Sequence, residues 1–358
     1  MKRREFLIGS SVMLGVGGCS LFADANRLRI LGLAGAIPSK VVGQFEGAFS
    51  KATELKTAKT SQELWQELLS KPDADKKFDL TSIGDAWLDS AIAQSLIQPI
   101  SPNLLAQMPQ WTKLDPRWQQ LVTRKTGEKS QVWGIPYRWG TTAIAYRLDK
   151  VKFEITKWAD LWRPELKQKI TLPDHPREVI GIVLKKLGDS YQQADLDSIK
   201  ALSAELKQLH QQVFVYTSDT YLQPLLIDDS WVAVGWSQDM RKLPLQDPNI
   251  KVIIPTEGTA LWSDIWVLPK QGNPDNQAAA CHWMDYCLTP AIAAQISALT
   301  DAVTTSSALE QVPASVRADT IKFPAPQTIA QSEVLLPLSE STAKQYKEIW
   351  TKLRTNSL

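Results

Sequence analysis

Apolar and polar positions along the chain follow two alternating periods. Leu28 to Leu33 and Phe78 to Ile83 are short apolar runs bounded by polar residues, the pattern of buried strands. Between them, Pro38 to Lys51 and Ser61 to Leu69 place apolar residues three and four apart, the pattern of helices with one buried face. The alternation resumes with a strand at Thr142 to Arg147, helices from Glu178 to Leu187 and Asp197 to His210, and strands at Trp231 to Trp236 and Lys251 to Ile254. Strands separated by helices of this length predict parallel sheets with helices on both faces. Gly134-Ile135-Pro136, Trp162-Arg163-Pro164 and Gly272-Asn273-Pro274 punctuate the chain, but no long flexible linker and no repeat interrupts it.

The first residues break this pattern. Lys2, Arg3 and Arg4 form a charged head, and Leu7 to Val16 is an apolar run without charge, the arrangement of an export signal. The run is far shorter than the roughly 20 apolar residues that span a bilayer. Arg3-Arg4 resembles the twin-arginine signal for exporting folded proteins. Val16-Gly17-Gly18-Cys19-Ser20 resembles a bacterial lipoprotein cleavage box, with Val16 where Leu is usual, and implies a lipid on Cys19. Residues 1–18 thus read as a signal peptide of lipoprotein type, and the expected location is periplasmic, tethered to the cytoplasmic membrane.

Charge then narrows the partners. The 40 basic and 38 acidic residues lose three and one with residues 1–18, leaving 37 of each. A neutral chain without a basic run interleaved with aromatics speaks against nucleic acid or an anionic membrane face as the partner. Of three cysteines, Cys281 and Cys287 fall six apart in an expected helix, Ala278 to Leu288, about 9 Å along its axis and beyond disulfide reach. His175, His210 and His282 have no zinc spacing, and no metal or cofactor is expected. Gly-rich phosphate loops, GxSxG elbows and HExxH helices are absent, so the chain does not read as an enzyme. The roughly 340 residues that remain suffice for two lobes, and a groove between lobes is a natural ligand site.

Gly258 to Pro269 carries the sharpest candidate chemistry. If this stretch is extended, Trp262 and Asp264 project from one face, offering an indole plane and a carboxylate to one ligand. That combination suits an ammonium group. The plain alternative is a core tryptophan beside an aspartate that caps or bridges.

Three further stretches carry a family resemblance: Trp133-Gly134-Ile135-Pro136-Tyr137-Arg138-Trp139-Gly140-Thr141-Thr142-Ala143-Ile144, then Trp158-Ala159-Asp160-Leu161-Trp162-Arg163-Pro164-Glu165, then Arg177-Glu178-Val179 leading into Leu184-Lys185-Lys186-Leu187-Gly188. In this order the chain resembles the spermidine/putrescine-binding proteins of bacterial polyamine ABC importers. The resemblance implies an α/β, two-lobed periplasmic-binding-protein fold of type II, each lobe a mixed, mostly parallel sheet flanked by helices, with ligand in the cleft. The expected lobes are 26–141 with 264–310, and 142–263 with 311–358. It also implies a monomer that binds a small amine and works with a membrane permease and an ATPase.

Carried over residue by residue, the family's amine-holding tryptophan and aspartate match Trp262 and Asp264, a pocket aromatic matches Trp236, and a ligand-binding glutamate matches Glu178, against the alternative of an acid in the first turn of a helix starting at Asp174-His175-Pro176. Where the family has a further acid, this chain has His175. The wall at Leu31 to Pro38 lacks the family's aromatics, and the expected pocket tyrosine falls at Ala302. Gly84-Asp85-Ala86-Trp87 stands where a serine and a tyrosine are expected, so Asp85 and Trp87 are candidates for the missing carboxylate and ring, against the alternatives of a helix cap and a core residue. The leading ligand class is a small amine, a polyamine such as putrescine or spermidine or one shorter or differently shaped. An amino-acid-like solute, or an envelope enzyme or interaction module on the same scaffold, remains open.

Overall fold

The computed structural model describes residues 27–70, 77–126 and 129–358. The expected export signal, with its arginine pair and Cys19, lies outside the described residues. No described helix is long and apolar enough to cross a membrane.

The strands in chain order are β1 (Leu28–Leu33), β2 (Thr53–Ala58), β3 (Leu80–Gly84), β4 (Ile97–Gln98), β5 (Thr123–Thr126), β6 (Lys129–Val132), β7 (Ile135–Arg147), β8 (Ile170–Leu172), β9 (Val213–Tyr216), β10 (Val232–Trp236), β11 (Ile250–Ile253), β12 (Ala260–Pro269), β13 (Val303–Thr304) and β14 (Glu333–Val334). A mixed sheet runs β2-β1-β3-β12-β7-β10-β8-β9. Its two ends are parallel: β1 lies between β2 and β3, and β8 lies between β10 and β9. The middle is antiparallel, because β7 and β12 run against each other and against β10 and β3.

Strand β7 was legible from sequence only in its second half, Thr142 to Arg147. The Gly-Ile-Pro punctuation before it suggests a turn, whereas Ile135 and Pro136 open a strand of 13 residues buried throughout. Proline is tolerated there because the register with β12 shifts beside it: Asp264 faces Arg138 and Ile265 faces Pro136, a bulge that needs no ladder bond from Pro136. The helix expected over Asp197 to His210 starts later, at Leu202–Gln212, after a separate turn at Leu196–Ser198.

The apolar residues separate along β7. Ile135, Tyr137 and Trp139 belong to one core with Ile30, Phe45 and Trp283. Ile144 and Tyr146 belong to a second with Trp158, Val183 and Leu206, and Ala143 and Ala145 to a small satellite with Tyr221 and Met240. Leu261 and Val334 pack with the first core, and Tyr346 and Leu353 of the helix Glu340–Arg354 with the second. Two cores on one continuous sheet make the two-lobed α/β architecture, and Gly140 to Thr142 form the seam.

The helix Pro176–Leu187 brings the second core to that seam. His175 is its N-cap, Pro176 fills the first helical position, and Gly188 ends it with φ 82°, a left-handed conformation costly for other residues. Cys281 and Cys287 sit buried and free in the helix Gln277–Leu288, where burial pushes both thiols up.

Candidate functional site

Arg138, Gly140 and Thr142 alternate along β7 and so share one face. Antiparallel pairing sets Asp264 beside Arg138 and Trp262 beside Gly140, and on the other edge Trp236 beside Thr142. Asp264 also pairs with Gly84 of β3, which places Asp85 next to the same point. Residues more than 170 positions apart thus converge where the cores meet.

Trp262 is 5 % exposed, and its indole Nε1 donates to the Thr141 carbonyl at 3.0 Å. Its ring occupies space left open by Gly140, where a Cβ would come 2.1 Å from the indole. Trp236 is half-buried at the end of β10, edge-on to Tyr221 at 5.2 Å. The Tyr221 hydroxyl accepts from the Trp236 N–H at 3.2 Å and donates to Asp239 at 3.0 Å.

Asp264 is not a free carboxylate. Arg138 Nε and Nη2 both lie 2.6 Å from its Oδ2, and the two residues are 3 % and 5 % exposed. Burial alone would lower the Arg138 pKa, but the attraction and hydrogen bond of Asp264 raise it. Arg138 therefore stays charged, and losing its partner would leave that charge buried without compensation.

Glu178 and Asp85 present the opposite case. Glu178 is 4 % exposed in the first turn of its helix, and both carboxylate oxygens lie 3.1 Å from the Thr142 hydroxyl. Burial pushes its carboxyl up to about 7; the Thr142 bond and Arg177 oppose the rise, and Asp85 adds to it. Asp85 accepts from the backbone N–H of Ser263 at 3.2 Å and of Ala86 at 2.9 Å. Burial pushes it too up to about 7 against those two bonds, with Asp264 adding to the rise and Arg177 opposing it. Arg177 acts on both from a distance, since its guanidinium donates to the carbonyls of Leu336 at 2.5 Å and Tyr191 at 3.1 Å. Among the described residues no cation is ion-paired with Glu178 or Asp85. Two desolvated carboxylates whose charges oppose each other form a site whose charge a bound cation would complete.

His175 does not extend this acidic pair. Its Nδ1 accepts from the Glu178 N–H at 3.4 Å, and burial, reinforced by Arg177, lowers its pKa to about 4. Near neutral pH it is an uncharged cap. Trp87 stacks on Trp65 at 4.6 Å with 25° between the planes, beside Leu64 and Ile83 in a small apolar cleft. Ala302, at the position of the expected tyrosine, is buried and offers no ring. Sequence reading missed Arg138, Thr142 and Arg177. Arg138 had a signal, being the lone charge between Ile135 and Tyr146, but its partner lies 126 residues away.

Residues 75–325 match the model of a family described as bacterial extracellular solute-binding protein. The chain belongs to this family. Its curated relatives include the spermidine/putrescine-binding periplasmic protein of Salmonella typhimurium, 26 % identical over 355 residues and 98 % of each chain. The putrescine-binding periplasmic protein PotF of Escherichia coli is 26 % identical over 308 residues, 81 % of this chain and 80 % of that one. Among solved structures, a spermidine/putrescine ABC transporter substrate-binding protein from Streptococcus pneumoniae superposes with a TM-score of 0.72 at 21 % identity, covering 93 % of this chain and 100 % of that one. This extracellular solute-binding protein therefore shares the two-lobed fold of ABC-importer receptors.

Proposed function

We propose that the chain is the extracytoplasmic receptor of an ABC importer for a small amine of the polyamine class, that it captures this ligand by closing its lobes, and that it catalyses no reaction. The lobes are 26–141 with 264–310, and 142–263 with 311–358, crossing at the seam in β7, with Leu261 and Val334 reaching over it onto the first core. The partners are a permease and an ATPase, and a lipid on Cys19 would hold the monomeric receptor near them.

One observation carries the ligand class: Glu178, bonded to Thr142 opposite Trp236, and Asp85, bonded to Ser263 next to Trp262, are desolvated carboxylates without an ion-paired cation among the described residues. Ammonium groups would supply the missing charge, and aromatic rings favour the cation and its alkyl chain. The relatives' names point to the same class. A zwitterionic solute would need a free cation for its carboxylate, whereas Arg138 is held by Asp264 and Arg177 by carbonyls.

A thermal-shift screen of residues 19–358 against diamines, triamines, amino acids and sugars tests this reading, because a ligand that binds only the folded state stabilises it. An amine is expected to raise Tm, and Glu178→Gln to weaken its binding by about 30-fold or more. A shift with sugars or neutral amino acids and none with amines would contradict it.

A further inference from the structure

We propose that Arg138 sets the charge the ligand can carry, by occupying Asp264 as an internal cation and leaving the carboxylates of Asp85 and Glu178 for at most two ammonium groups. Arg138 is thus a specificity-determining residue, and the favoured ligand is a diamine over a triamine. This rests on the amine reading above and deepens it.

Both guanidinium contacts fall on one oxygen of Asp264, with the two side chains almost sealed from solvent. An ammonium group entering beside Asp264 would have to displace this twofold charge-assisted contact, or take the other oxygen of the same carboxylate next to a like charge, and both are unfavourable. The Arg138 backbone is also fixed. Ser263 Oγ donates to the Arg138 carbonyl at 2.9 Å, and Arg138 lies in register with Asp264 next to the bulge.

The remaining acids define the count. The charge of Asp85 raises the Glu178 carboxyl, so the two belong to one field, and Asp85 is hydrogen-bonded to the residue preceding Asp264. Asp239 also feels Arg138, and burial raises its carboxyl, but it accepts the Tyr221 hydroxyl at 3.0 Å and keeps an exposed side, so an ammonium there would not be a buried one. A third buried ammonium would have no unpaired carboxylate and would meet Arg138 as a like charge.

The test is calorimetric titration of wild type, Arg138→Met and Arg138→Met/Asp264→Asn with 1,4-diaminobutane and with spermidine. Methionine keeps the length and apolar stem of arginine, and the double variant replaces a neutral pair by a neutral pair. Wild type is expected to prefer the diamine by about tenfold, Arg138→Met to lose or invert that preference, and the double variant to bind the diamine within about threefold of wild type with the original preference. Should Arg138→Met not fold, the double variant still decides. A loss of about 30-fold or more in diamine affinity there would place an ammonium on Asp264 and overturn the proposal. An unchanged preference in folded Arg138→Met would overturn it while leaving the amine reading intact. Absence of any amine binding to wild type would overturn both.

Discussion

The indole of Trp262 lies in the space that Gly140 leaves open on the neighbouring strand, where a Cβ would come 2.1 Å from the ring. The contact ties β7 to β12 at the seam of the two cores and fixes the plane of the ring. Gly140→Ala should therefore push Trp262 off the strand, costing about 1–3 kcal/mol of stability as overpacking. It should also weaken ligand binding. Thermal unfolding and titration of the same variant check both effects. An alanine variant of wild-type stability and affinity would mean the ring is free to move.

The acidic pair predicts a pH dependence whose sign is fixed. Glu178 and Asp85 have folded-state pKa values near 7, above their ordinary values of 4.5 and 3.8. The folded chain binds more protons than the unfolded chain between those limits, so both groups make unliganded stability fall as pH rises from about 4 to about 7. His175 works the other way, because its folded value of about 4 lies below 6.5 and its contribution falls as pH drops through that window. Glu178→Gln removes one titration and isolates it. The variant should gain stability relative to wild type as pH rises from about 5 to about 8, measured by urea unfolding across that range. A difference independent of pH would show that Glu178 is not perturbed.

His175 was a candidate ligand group in the sequence and sits in the structure as a helix cap. His175→Ala should cost about 1 kcal/mol, and His175→Ser should recover most of it, since serine also accepts from the helix N–H groups. With the cap role alone, amine affinity stays near wild type in the serine variant. A large affinity loss in folded His175→Ser would restore His175 to the ligand shell.

Much of the site was legible because local geometry carried it. Trp262 and Asp264 share a face in any extended strand, and Glu178 falls in a first helical turn after Pro176. Long-range register carried the rest. Whether Asp264 meets a ligand or Arg138 depends on an antiparallel alignment across 126 residues and on a bulge at its end, and neither leaves a periodic trace. Pro136 concealed the start of β7, since proline inside a central strand reads as a break unless the bulge is known. Trp87 and Trp65 find each other through the packing of a helix on β3, which residue spacing does not encode.

The most direct test of the acidic pair as a cation site is calorimetric titration of the purified chain with 1,4-diaminobutane near pH 6.5, in two buffers of different ionisation enthalpy. An ammonium group favours the charged form of Glu178 and Asp85, so one diamine per chain should bind with release of protons, and affinity should rise with pH through about 7. Binding without proton release, or no binding at all, would contradict the account.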